Sequence, residues 1–187
     1  MRIIRGTHSR RHIEMSAKLP VRPTTDMAKE SLFNIINNHF DFKQIRVLDL
    51  FAGTGNISYE FASRESKDIT AVDSNFKCIK FIKTTSEKLN FKNITTIYED
   101  AFVFLNHCNR TFDLIFADPA YDMKNTDTLL DIIFSKKLLN KNAWLIIEHS
   151  RKLDFSQHPI FFQHRNYGNV NFSFFAVKKT GKSTLEK

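Results

Sequence analysis

Two kinds of apolar pattern alternate along this chain: short continuous runs, and longer stretches in which apolar residues recur every three or four positions. The first predicts buried strands and the second amphipathic helices. Between Thr24 and about Phe40, apolar Met27, Leu32, Phe33, Ile35 and Ile36 follow the capping-type residues Thr24, Thr25 and Asp26, which predicts a helix. IRVLDLF, residues 45–51, is too short for a helix; AGTGN follows it at once, and then ISYEFASR at helical spacing. That order reads as strand, glycine turn, helix.

The unit recurs in kind. DITAVD precedes a helix from about Asn75 to Leu89; ITTIYED precedes a short helix from near Ala101; FDLIFAD precedes TDTLLDIIFSKKLL, and NAWLIIEHS follows. Strands alternating with helices predict an α/β fold with a doubly wound, mostly parallel sheet covered on both faces. LIFAD and WLIIE, apolar almost throughout, suit its central strands. PIFFQHR and VNFSFFAVKK flank the turn-forming NYGN and predict an antiparallel hairpin added at one edge.

With 187 residues the chain has room for one domain with a substantial core. The expected division is a basic N-terminal extension over 1–25, the α/β domain over 26–180 and a short tail over 181–187. The net charge of +8 and pI near 9.5 suit a polyanionic partner without identifying one. The first 25 residues carry Arg2, Arg5, Arg10, Arg11, Lys18 and Arg22 against Glu14 alone, a composition expected for phosphate contact; a solvated basic arm is the alternative. Cys78 and Cys108 lie far apart without a nearby Cys/His set, so neither a disulfide framework nor a metal site is expected. With no apolar signal-type segment and no run long enough for a membrane helix, a cytoplasmic monomer with no membrane contact is expected.

Ligands of doubly wound sheets collect at the carboxyl ends of the strands. Here those ends read Asp49 to Gly55, Asp73 to Ser74, Glu99 to Asp100, and Asp118 to Tyr121, so all four carry acids. In DLFAGTGN, Gly53 and Gly55 permit a tight turn beside Phe51, but Ser58 stands where a dinucleotide fingerprint has its third glycine. Asp49 would repel a pyrophosphate and attract a cation. S-adenosylmethionine carries a sulfonium and an ammonium group and no phosphate, and it fits this turn better than NAD. Asp73 stands where an acid can accept hydrogen bonds from ribose hydroxyls, with Ser74 beside it. Asp100 can receive an adenine amine, with the Ala101 N–H facing a ring nitrogen. Each acid also has a purely structural reading: Asp49 bound to loop N–H groups, Asp73 and Asp100 as helix caps.

The fourth strand end, FADPAY, resembles the [DN]-P-P-[YF] signature of methyltransferases that act on planar amino nitrogens, with Asp118, Pro119 and Tyr121 matching and Ala120 departing from it. Such an amine is a poor nucleophile because its lone pair is delocalised into the ring. An oxygen of Asp118 and the Pro119 carbonyl could accept its two N–H groups, while Tyr121 stacks on the ring; proximity and preorganised dipoles then supply much of the rate. A base held in a helix would have to be extruded to reach them. A strand-ending D-P turn with a packing tyrosine is the structural alternative. Ala120 removes some rigidity from the loop but no hydrogen-bonding group.

MRIIRG, RPTTDMAKESLFN, VLDLFAGTGNISYE, FADPAY, WLIIEHS and RNYGNVNFSFF, in that order over nearly the whole chain, resemble the RsmD family. Its members are Rossmann-like class I methyltransferases that modify the N2 amine of one guanine in bacterial small-subunit ribosomal RNA. The resemblance implies that Asp49, Gly53, Gly55, Asp73 and Asp100 hold S-adenosylmethionine, that Asp118, Pro119 and Tyr121 present the amine, and that Arg22 to Asp26 wall the site. It also implies a partner in ribosomal RNA or the assembling small subunit. Arg5, Arg10, Arg11 and Arg22 could meet its phosphates. Arg165 and Tyr167 could add phosphate and stacking contacts, although Tyr167 equally suits a hairpin turn. Competing readings are a DNA amino-methyltransferase, which this short chain leaves little room to make sequence-specific, an RNA-binding module with a vestigial cofactor fold, and an NAD-linked oxidoreductase, for which Asp49 is wrongly placed.

Overall fold

A computed structural model describes residues 1–14, 25–120, 123 and 125–176. Its elements are α1 (Asp26–Asn37), a 3₁₀ turn (Phe42–Gln44), β1 (Arg46–Leu50), α2 (Asn56–Ser63), β2 (Asp68–Asp73), α3 (Phe76–Lys88), β3 (Ile94–Tyr98), α4 (Ala101–His107), β4 (Phe112–Ala117), α5 (Thr126–Ser135), β5 (Leu139–His149), β6 (Phe161–Tyr167) and β7 (Val170–Ala176). Their order matches the alternation of patterns in the sequence. β5 begins earlier than NAWLIIEHS suggests, because Leu139 and polar Asn140 and Lys141 extend the strand ahead of the point where its burial begins.

The seven strands lie in the order β3-β2-β1-β4-β5-β7-β6. β1 pairs in parallel with β2 and with β4, and β4 with β5, whereas β7 runs antiparallel to β5 and to β6. The chain therefore winds outward from β1 to β3, then crosses back to lay β4 on the other flank of β1. That reversal makes the carboxyl ends of β1 and β4 the topological switch point, where a crevice opens and ligands bind. The C-terminal hairpin closes the far edge, with β7 inserted between β5 and β6.

Alternation along the strands feeds two cores. Val47, Ile69, Leu114, Phe116, Ile146 and Phe174 face α1, α2 and α3 in one. Leu48, Leu50, Ile115, Ile147 and Phe175 face α4, α5 and Phe155 in the other. Helices on both faces explain why β4 and β5 are apolar at nearly every position.

Residues 1–14 are stitched to this domain. Arg2 and His12 form an antiparallel bridge, and Ile3 and Ile13 enter the α1–α3 core. At Gly6, with φ of 91°, an added Cβ would lie 1.9 Å from the Ser63 carbonyl oxygen, so only glycine lets the turn settle on the end of α2. There Thr7 N–H donates to the Ser63 carbonyl at 2.7 Å, and the Ser63 hydroxyl donates to the Arg5 carbonyl at 2.7 Å. Among the described residues no helix is long and apolar enough to cross a membrane.

Candidate active site

The turn after β1 is sharply bent. Phe51, Gly53 and Gly55 all have positive φ, at 58°, 54° and 81°. For a bulky residue like Phe51 this conformation is uncommon, and strain of this kind gathers at functional sites. Its ring packs edge-on against Phe102 with centroids 6.5 Å apart, which ties the turn to α4. Gly55 starts α2; an added Cβ there would come within 2.9 Å of Ile82 and 3.0 Å of the Tyr59 ring. The second glycine is therefore required by helix packing as well as by φ.

Two carboxylates flank the turn. Asp49, the fourth residue of β1, is 1% exposed and accepts a hydrogen bond from the Ser58 hydroxyl on α2. Burial pushes its carboxyl up to about 7, and the nearby Asp73 charge adds to the shift, while Ser58 opposes both. Ser58, the residue that breaks the dinucleotide fingerprint, is thus the partner of Asp49. Asp73 ends β2 and joins the two loops: one oxygen accepts from Gly53 N–H at 2.7 Å and the other from Asn75 N–H at 2.7 Å. Asn75, not Asp73, caps α3. Each Asp73 oxygen retains a second lone pair for a ligand, and the exposed Ser74 lies alongside.

Asp100 caps α4, its Oδ1 accepting from Phe102 N–H at 2.9 Å and Val103 N–H at 3.1 Å. Oδ2 makes no hydrogen bond among the described residues, so capping and ligand contact are compatible. Ala101, the first residue of α4, is buried.

Residues 49–55, 73–75 and 99–101 contain three aspartates and a glutamate but no lysine or arginine. A donor set of this sign fits a ligand with cationic groups and hydroxyls and disfavours a pyrophosphate. S-adenosylmethionine meets that description: Asp49 suits its positive groups, Asp73 its ribose and Asp100 its adenine amine.

Across the switch point, Asp118 follows β4 and its N–H donates to the Leu50 carbonyl at 3.4 Å, which joins FADPAY to the turn after β1. Register matters here. Ala117 pairs with Ile147 on β5, so Asp118 and Glu148 follow side by side. Glu148 is 3% exposed. Burial pushes the Asp118 carboxyl well above the usual range, with further upward pushes from the Glu148 and Asp49 charges. Pro119 is buried and Ala120 exposed, its carbonyl accepting from Met123 N–H at 2.8 Å. Tyr121 lies outside the described residues.

Glu148 escaped the sequence reading. Its signal is nonetheless present: an acid closing the apolar run WLIIE, as Asp118 closes LIFA.

The basic residues are spread over two regions. Arg5, Arg10 and Arg11 are exposed on the N-terminal turn, Arg10 in the left-handed region at φ 67°. This turn is a docked element: buried Glu60 accepts from Ile4 N–H at 2.7 Å and Arg5 N–H at 3.1 Å, and pairs with Arg64. Lys29 of α1, 1% exposed, donates to the Arg2 carbonyl at 2.6 Å and to Asn56 Oδ1 at 2.7 Å. Arg165 and Tyr167 lie within β6, with Arg165 exposed and Tyr167 half-buried against Phe172. Tyr167 pairs with Val170 across the Gly168–Asn169 turn, so it flanks that turn. Lys18 and Arg22 lie outside the described residues, as do Pro23 and Thr24 of the predicted wall.

The family model described as "Conserved hypothetical protein 95" matches residues 1–176. "Putative rRNA methyltransferase YlbH" of Bacillus subtilis (strain 168) is 34% identical over 158 residues, which cover 82% of this chain and 85% of that one. "Ribosomal RNA small subunit methyltransferase D" of Buchnera aphidicola subsp. Baizongia pistaciae is 29% identical over 154 residues, covering 82% and 78% of the two chains. This chain belongs to the RsmD family. A solved structure, the hypothetical protein TTHA0928 of Thermus thermophilus, aligns with the RsmD-family chain at a TM-score of 0.82 and 21% identity, over 95% of this chain and 99% of that one. At that identity the likeness concerns the fold alone, the Rossmann-like fold of class I methyltransferases. The doubly wound sheet, with FADPAY at a strand end beside the glycine turn, is as the alternation of strands and helices in the sequence predicted.

Proposed function

We propose that this RsmD-family protein transfers a methyl group from S-adenosylmethionine to the exocyclic N2 amine of a guanine in small-subunit ribosomal RNA. The observation that carries the reading is the meeting, at one switch point, of an acid-lined glycine turn and the Asp118-Pro119 step joined to it through Leu50. The names of the relatives support the RNA part of the reading. The methyl donor supplies an electrophilic sulfonium methyl and leaves as a neutral thioether.

The residues of this chain supply the rest. Asp49 and Asp73 hold and orient the donor, with Phe51, Gly53, Gly55, Ser74, Asp100 and Ala101 shaping its berth. An Asp118 oxygen and the Pro119 carbonyl accept the two N–H groups of the guanine amine and turn its lone pair towards the incoming methyl group, while Tyr121 stacks on the base. As the C–N bond forms, N2 becomes cationic and must lose a proton. Asp118, whose pKa is raised by burial and then by the Glu148 charge, is suited to receive that proton. Arg5, Arg10, Arg11, Arg22 and Arg165 contact RNA phosphates, and Tyr167 borders the RNA path.

The test is incubation of the protein with labelled S-adenosylmethionine and unmodified small-subunit RNA or subunits, followed by mapping of the label. One labelled guanine, methylated at N2, is expected. Label in DNA, in protein or at another base atom would overturn the reading.

A further inference from the structure

A cavity of about 510 Å³ opens between the end of β5, the segment after it and the β6–β7 hairpin. None of its lining belongs to the cofactor turn or to the Asp118 step. It nevertheless begins at His149, the residue directly after Glu148, so the two sites share one strand end. Successive residues of a strand point to opposite faces. Glu148 pairs with Phe172 of one core, whereas the His149 ring packs edge-on against Phe155 of the other, 5.0 Å between centroids.

The interior hydrogen bonds of the lining are largely committed, which defines what it can still accept. His149 donates through Nδ1 to the Ser150 carbonyl at 2.8 Å, leaving Nε2 to accept from the Ser173 hydroxyl at 2.8 Å. Burial holds this imidazole below its ordinary pKa, in keeping with a neutral ring. Buried Asn171 receives His164 Nε2 at 3.3 Å and Asn166 Nδ2 at 2.9 Å on its Oδ1. Besides the unused N–H groups of Arg151, what remains on the wall are acceptors: His164 Nδ1, Asn166 Oδ1 and the free lone pairs of Asp154, whose two oxygens also take bonds from Ser156. Arg151, tethered to the Gly168 carbonyl, offsets the charge of Asp154. Phe155, Phe161 and Leu153 supply apolar surface.

A wall near neutral overall, rich in acceptors and backed by aromatic rings, suits a flat, uncharged group that donates hydrogen bonds. A phosphate would meet the charge of Asp154 and those acceptors against the single cation of Arg151, and is less favoured than a neutral group. The volume lies within the range of pockets that hold small organic ligands.

We propose that this cavity receives the base of a nucleotide neighbouring the methylated guanine, and that it selects a base bearing an exocyclic amine. The inference deepens the RNA methyltransferase reading and rests on it. RNA is recognised by unstacking bases and holding them on ring faces and hydrogen-bonding edges. A strand drawn along the carboxyl edge, with its target amine at Asp118, passes over the end of β5 and reaches the cavity at His149.

The experiment uses the full chain and small-subunit RNA assembled with a synthetic segment around the methylated guanine. An abasic residue replaces each neighbouring nucleotide in turn. At one of these positions KM for RNA is expected to rise about tenfold with kcat nearly unchanged, the size of a lost base-stacking contact, and uridine there should do the same. His164→Ala should raise KM on intact RNA and respond little to the abasic change. Normal methylation of intact RNA with no response to any neighbouring abasic residue would overturn the inference while leaving the RNA reading standing. No methylation of intact RNA by the wild-type protein would overturn both.

Discussion

The two halves of the switch point are built on opposite electrostatic plans. On the β1–β2 side each acid is met by donors: Asp49 by Ser58, Asp73 by Gly53 and Asn75. On the β4–β5 side two acids stand on neighbouring strand ends, and burial, with the Glu148 and Asp49 charges behind it, drives the Asp118 carboxyl upwards. The first arrangement holds a fixed shape ready for a ligand. The second holds a carboxyl that binds a proton more readily than an ordinary aspartate, which under the proposed function is the group that meets the amine. A methyltransferase needs both donor and acceptor held in line with one another.

Removing Asp118 should separate the halves most strongly. Asp118→Ala is expected to lower methyl transfer by about 10²–10³-fold, the range seen when one preorganised polar contact to a reacting group is lost. Affinity for S-adenosylmethionine, measured by calorimetry, should stay near that of the wild type; near-normal single-turnover rates would end the assignment. Asp73→Ala attacks the other half by freeing the Gly53 and Asn75 N–H groups. Its affinity for the donor should fall about 10–100-fold, in line with charge-assisted hydrogen bonds of about 1.5–3 kcal/mol. If kcat at saturating donor falls as far as it does in Asp118→Ala, the division between the halves is wrong.

Acidity offers a finer test. Asp49 and Asp118 both have raised folded-state pKa values, so each binds its proton more tightly in the native than in the unfolded chain. Their contribution to stability is fully present below the unfolded value near 3.8 and, for Asp49, is lost as pH rises through about 7. Thermal melts of the ligand-free protein should therefore lose part of their stability between about pH 5 and about 8, and Asp49→Asn should reduce that loss. Donor binding that requires ionised Asp49 should release a proton near about pH 6.5, visible as a buffer-dependent binding enthalpy. The smallest effect belongs to the periphery. Arg10→Glu with Arg11→Glu should weaken RNA binding a few-fold and flatten its salt dependence, with donor affinity unmoved.

Much of this architecture could be read from local pattern alone. The strands before AGTGN and before DPAY, the caps at Thr25 and Asp100, and the terminal hairpin all follow from features within a few residues of one another, whereas the cap of α3 is Asn75 and not the Asp73 that the sequence suggested. What escaped depends on pairings between distant segments. Glu148 becomes notable only because β5 lies beside β4 in a particular register. The first residues read as a basic extension, since nothing near them in sequence announces that Glu60 and Ser63 will receive their backbone. A buried glutamate within YEFAS and a buried lysine within MAKES look, locally, like ordinary solvent-facing helix positions.

That dependence also fixes an order of events as the chain is made. The N-terminal turn leaves the ribosome before α2 does, and Glu60, the acceptor of its Ile4 and Arg5 N–H groups, is 56 and 55 residues further on. Because synthesis proceeds from the N-terminus, the turn has no dock until α2 has emerged and folded. Ile3 and Ile13 therefore spend that interval uncovered, and the turn is seated only after a segment some 55 residues further along has formed.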